Sequence, residues 1–125
     1  MKLQEALPGF YGELAEALGK QGLPALAEQL PGLEIKHRCP CDELGCGTIA
    51  VEAKRELNVV EQNVIGSRYE ESFEIDDING MVVLDVDNFG RLISIEILDR
   101  PDINKELERL NVLKKASSKG GLTNG

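Results

Sequence analysis

The sequence predicts an α+β domain. It should hold two N-terminal helices, a four- to five-stranded mainly antiparallel sheet with a central hairpin at about residues 81–98, and a C-terminal helix packed on the sheet. Three observations predict it. Residues 80–99 alternate apolar and polar side chains on both sides of a Gly-bearing turn. Apolar positions repeat at helical spacing near each end of the chain, and short period-2 runs rich in β-branched residues lie between them. With 125 residues there is chain enough for one core. The expected organisation is a single domain over residues 1–115 and a flexible tail over 116–125, where no periodic apolar content is found.

Leu7, Tyr11, Leu14, Ala15 and Leu18 share one helical face, with Pro8 suited to the first turn and Gly19 to the end. After a short link, Leu23, Leu26, Ala27 and Leu30 form a second stripe, begun near Pro24 and stopped by Pro31-Gly32. Residues 33–37 alternate and predict a short strand, and 48–57 predict another, with Ile49, Val51 and Ala53 on one side. The pattern over 58–66 is ambiguous. Tyr69, Phe73 and Ile75 restore period 2 before a turn at 76–80. In the central hairpin, pairing Val86 with Arg91 across a four-residue loop places Leu84 opposite Ile93 and Val82 opposite Ile95. Val82, Leu84, Val86, Ile93, Ile95 and Ile97 would then share one buried face. Asp99 or Asp102 is expected to cap the last helix, whose stripe is Ile103, Leu107, Leu110 and Leu113.

Bulk properties restrict function. The net charge of −8 opposes a general grip on nucleic acid, and no apolar run approaches the roughly 20 residues of a membrane span. No secretory leader is visible, so a cytoplasmic, reducing location is the expectation, with thiols or metal ligands preferred over disulfides. Residues 61–79 hold six acidic groups against Arg68 alone. Such a run is ordinarily a solvated face; its functional reading is a docking surface for a basic protein partner.

The core of residues 81–99, Leu-Asp-Val-Asp-Asn-Phe-Gly-Arg-Leu-Ile-Ser-Ile-Glu-Ile-Leu, resembles the hairpin of a family of small, mostly bacterial proteins of unknown function. The Leu7-Pro8-Gly9-Phe10 start and the segment from Arg38-Cys39-Pro40-Cys41 to Cys46-Gly47-Thr48 resemble a longer uncharacterised subgroup. Together these cover most of residues 7–113. The resemblance implies a small sheet with helices and supplies no catalytic residues.

The segment His37-Arg38-Cys39-Pro40-Cys41-Asp42-Glu43-Leu44-Gly45-Cys46 holds every cysteine of the chain and its single histidine. Thiolate sulfur and imidazole nitrogen are the donors a tetrahedral zinc site uses, so Cys39, Cys41, Cys46 and His37 are the candidate ligands. His37 is the least secure of the four, because an extended chain would set it about 13 Å from Cys41 at Cα. Asp42 or Glu43 could replace it. The plain alternative is three reduced thiols in a turn between strands. A cysteine-dependent redox or hydrolytic enzyme, with His37 activating Cys39 or Cys41, is the competing functional class. In that reading Lys36 and Arg38 favour the thiolate while Asp42 and Glu43 oppose it. Asp85, Asp87, Gly90 and Glu96 match positions of a calcium loop, yet the flanks alternate as strands where helices are required. The expected function is therefore a non-enzymatic binding or structural domain with zinc at the cysteine turn.

Overall fold

The computed structural model describes residues 1–41, 45–53, 71–87 and 89–114. Among them the chain runs through α1 (Leu3–Ala6), α2 (Pro8–Gln21), α3 (Pro24–Ala27), β1 (Glu34–Arg38), β2 (Ile49–Glu52), β3 (Glu71–Glu74), β4 (Met81–Val86), β5 (Leu92–Leu98) and α4 (Pro101–Arg109). The strands form one antiparallel sheet in the order β1-β2-β5-β4-β3. The fold class is α+β, as the sequence predicts. The proposed tail at 116–125 and the ambiguous stretch at 58–66 lie outside the described residues.

Registers align one apolar row straight across the sheet: Ile49 faces Ile95, Ile95 faces Leu84, and Leu84 faces Phe73. The same face carries Ile35, Val51, Val82, Val86 and Ile97, all buried. It is covered by Phe10, Leu14, Ala17 and Leu18 of α2, by Leu26 and Leu30, and by Ile103 and Leu107 of α4, which join it in one hydrophobic cluster. Phe10 and Ala17, rather than Tyr11 and Ala15, are the most deeply buried in their part of α2, so the buried stripe is rotated slightly from the predicted one. That helix also runs past Gly19 and ends at Gly22, whose left-handed φ of 76° lets Leu23 N–H reach Leu18 O at 3.1 Å. The predicted second helix is a four-residue turn, α3. Leu113 does not extend the stripe of α4, because the helix stops at Arg109 and leaves it 78% exposed.

The hairpin register differs from the expectation by two residues. Leu84 pairs with Ile95 and Val82 with Ile97, and a bulge between Asp85 and Val86 sets Val86 opposite Leu92. Asp87 N–H donates to Arg91 O and Gly90 N–H to Asp87 O, which makes the connection one residue shorter than a four-residue loop. The shorter loop alone would split the two apolar triads between faces. The bulge restores parity for Ile95 and Ile97, turns Leu92 inward, and leaves Ile93 38% exposed.

A bulge frees backbone groups that need partners. The Gln29 side chain, arriving after α3, donates to Gly90 O at 2.7 Å and accepts from Leu92 N–H at 2.8 Å. Asp87 accepts from the Phe89 and Arg91 N–H groups and from Arg91 Nε at 2.8 Å. Partial burial pushes the Asp87 carboxyl up, but these donors outweigh it and hold it below its ordinary value.

Arg100 ties the layers together. Its guanidinium donates to both oxygens of Glu13 on α2, both oxygens of Asp102 on α4, and Asn79 O in the β3–β4 turn, at 3.0–3.1 Å. All five donors are therefore used. Arg100, rather than either aspartate, holds the N-cap position of α4, with Pro101 in the first turn. Gly80 sits beneath this side chain at φ 77°, where a Cβ would fall 2.6 Å from Leu98 O and 2.8 Å from Arg100 Cγ.

Two outcomes are expected. Ile95→Asp places a charge in the core and should unfold the domain, whereas Ile93→Asp should shift stability by less than about 1 kcal/mol in urea titrations; the reverse pattern would refute the bulge. Gln29→Ala should cost about 1 kcal/mol or somewhat more, because it leaves the Leu92 N–H without its acceptor. For Asp87 the lowered folded-state pKa means that its contribution is present above the unfolded carboxyl pKa and is lost as pH falls through the folded value. Asp87→Asn should accordingly be less stable than the parent at neutral pH, with the gap narrowing in acid melts.

Candidate metal centre

Beyond Arg38 the β1–β2 ladder continues for one more bond, from Cys39 N–H to Thr48 O at 2.9 Å. This holds Cys39 beside the strand that begins after Cys46. The returning arm is fixed from the other side. Gly45 O accepts from Arg100 N–H at 3.0 Å, and Gly47 N–H donates to Ile97 O at 2.8 Å. Thr48 Oγ1 accepts from Ile97 N–H at 3.0 Å. Gly47 lies against α4 so closely that a Cβ would come within 2.7 Å of Ile103 Cγ2. Any side chain there would push Cys46 away from its present place.

The result brings the sulfurs of Cys39, Cys41 and Cys46 within 4.8 Å of one another. A zinc ion holding three thiolates at about 2.3 Å in tetrahedral geometry sets sulfurs about 3.8 Å apart, so small side-chain rotations complete the fit. Cys46 is buried and the other two are half-buried. Burial resists ionisation of Cys46, yet hydrogen bonds from the Thr48 hydroxyl and N–H, and from the Cys41 and Cys39 thiols, overcome it and hold its pKa below the ordinary thiol value. Hydrogen bonding, rather than the neighbouring cations, favours the thiolate. Arg38 is instead buried on the core side of β1, paired across from Ile49 and 3.9 Å from Glu108.

His37 does not join the group. It sits opposite Ala50 on the sheet face away from the core, and neither of its nitrogens lies within 4.8 Å of all three sulfurs. Its Nδ1 is buried and makes no hydrogen bond. Asp42 and Glu43, the other expected donors, lie outside the described residues. Of the acidic run at 61–79, the described members Glu71, Glu74, Asp76 and Asp77 are all exposed. Sequence reading did not anticipate the Thr48 hydroxyl as a donor to Cys46, although a Thr two residues along was the available signal.

A second set of polar groups lies on the open face of the sheet. Asp85 accepts from the hydroxyls of Ser72 at 2.5 Å and Ser94 at 2.6 Å. Burial pushes its carboxyl up, but hydrogen bonds from Glu96, Ser72 and Ser94 bring it lower overall, while the hydrogen bond and charge of Asp85 push Glu96 up. Among the described residues, no helix is long and apolar enough to cross a membrane.

No curated protein and no solved structure matched the chain. A family model described as a protein of unknown function (DUF2283) matches residues 63–99. That span contains β3, β4 and β5 and stops short of the cysteine segment. Residues 63–99 are thus similar to an uncharacterised domain family, and the three-thiol cluster stands outside the matched part.

Proposed function

We propose that the protein is a non-enzymatic binding or structural domain that holds a zinc ion through Cys39, Cys41 and Cys46. One observation carries the reading: three sulfurs converge within 4.8 Å at the end of the β1–β2 ladder. Thiolates suit zinc among the divalent ions, and convergence of three on one point supports a ligand set. The fourth position would be filled by water or by an oxygen of Asp42 or Glu43 from the same loop. Bound there, the ion would clamp the outgoing arm of β1 to the incoming arm of β2. Its binding energy would then add directly to folding.

The competing enzyme reading needs an imidazole in hydrogen-bond reach of a nucleophilic sulfur. His37 is not part of the 4.8 Å sulfur group, and the thiolate-favouring contacts converge on Cys46, the most buried sulfur. Both features support the structural role over catalysis.

Intact mass of the full chain under native and then acidic conditions is the direct test. One zinc should appear in the first spectrum and vanish in the second, since protonated thiols do not ligate. Removing the ion with a chelator should lower the melting temperature, by about 4 °C for each kcal/mol of binding energy lost at this chain length. Cys39→Ser, Cys41→Ser and Cys46→Ser should each remove most of that increment. A metal-free native spectrum, with melting unchanged by chelator or by added zinc, would end the reading.

A further inference from the structure

Three sulfurs within 4.8 Å of one another are ligands for an ion and, equally, the reactants of a disulfide. A disulfide sets its sulfurs about 2.0 Å apart, so closing one here requires a relative movement under about 3 Å. Resting on the zinc reading above, we propose that the centre is an oxidation-releasable metal site, in which a hydroperoxide joins Cys46 to Cys39 or Cys41 and expels the ion.

The pairing follows from the chain. Cys39 and Cys41 flank Pro40, whose ring fixes φ, so a bridge between them would close over a single stiff residue and be strained. Cys46 approaches from the other arm of the loop and can meet either without that restriction. Order of attack follows from access. Cys39 and Cys41 are half-buried whereas Cys46 is only 8% exposed, so a small oxidant reaches one of the first two.

The sulfur of that thiolate attacks one peroxide oxygen. The O–O bond breaks, the leaving hydroxide takes a proton from solvent, and the cysteine becomes a sulfenic acid. The Cys46 thiolate then attacks the sulfenic sulfur. The S–O bond breaks, a second hydroxide is protonated to water, and the S–S bond forms. Two electrons pass from the two sulfurs to one hydroperoxide, giving two waters when the oxidant is hydrogen peroxide. Only one of the three thiolates then remains to hold the ion, so the ion leaves. The loop itself stays closed, because the bridge spans the same two arms and the bonds from Gly45, Gly47 and Thr48 to Ile97 and Arg100 do not involve sulfur.

The experiment uses the full chain, loaded with zinc and checked by native mass, then treated with hydrogen peroxide in the presence of a colorimetric zinc indicator. The expected result is one zinc released per chain, a monomer lighter by two hydrogens, and a mapped bridge from Cys46 to Cys39 or Cys41. A thiol reductant should restore zinc binding. Cys39→Ser and Cys41→Ser, treated without metal, should each still form the bridge to Cys46, whereas Cys46→Ser should form none within the chain. Zinc retained under peroxide, release accompanied by sulfinic acid without a bridge, or bridges only between chains would each overturn the proposal while leaving the zinc reading intact. Failure of the untreated chain to take up zinc would remove the zinc reading and this proposal with it.

Discussion

Arg100 joins four separate parts of the chain. Its side chain holds Glu13 on α2, Asn79 in the β3–β4 turn and Asp102 on α4, and its backbone N–H holds Gly45 beside the cysteines. The guanidinium is buried with five donors, and such a group is tolerated only if every donor is satisfied. Five acceptor contacts meet that demand, and the Phe10 ring 5.8 Å away lends its face. The carboxylates are less buried than the arginine: Glu13 is 35% and Asp102 63% exposed. The net contribution to stability is consequently moderate, on the order of 1–3 kcal/mol. The larger consequence is geometric, since one side chain links α2, the β3–β4 turn and the start of α4.

That geometry reaches the thiol centre. β5 supplies Ile97, whose backbone fixes Gly47 and Thr48, and the residues following β5 supply the Arg100 N–H that fixes Gly45. Cys46 is thus positioned by the central strand of the sheet, while Cys39 is positioned by an outer one. The edge of β1 is itself covered by both ends of the described chain, with Ile35 N–H bonded to Met1 O and Arg38 N–H to Leu113 O. Covered edges do not template pairing with other molecules. Cys39 and the arm carrying Cys46 are held by bonds that do not depend on the ion, so a metal would join arms already in place.

The open face of the sheet has a different character. One step along from the apolar row, the registers place His37, Ala50, Ser94, Asp85 and Ser72 in line. Here Ser72 and Ser94 donate to Asp85. The paired side chains of Ser72, Asp85 and Ser94 suit a sheet face in contact with water. In β2 and β4 the buried and outward rows alternate residue by residue, and this alternation is what the sequence pattern reports.

Alternation at Val82, Leu84 and Val86 and again at Ile95 and Ile97 was enough to locate the hairpin and most of its buried face, because side-chain parity is a local property of an extended chain, although Leu92 and not Ile93 turns inward. Clustering of Cys39, Cys41 and Cys46 within ten residues likewise pointed to the thiol centre directly. The bulge was not legible: it exists because Gln29, some sixty residues away, satisfies the backbone groups it frees, and no local pattern records that partner. The exclusion of His37 from the sulfur group was equally a tertiary decision, since its pairing with Ala50 on β2 sets which way it faces. So was the role of Arg100, whose neighbours come from four separate segments. Spacing along the chain determines which residues share a face; only packing between distant segments decides which of them meet.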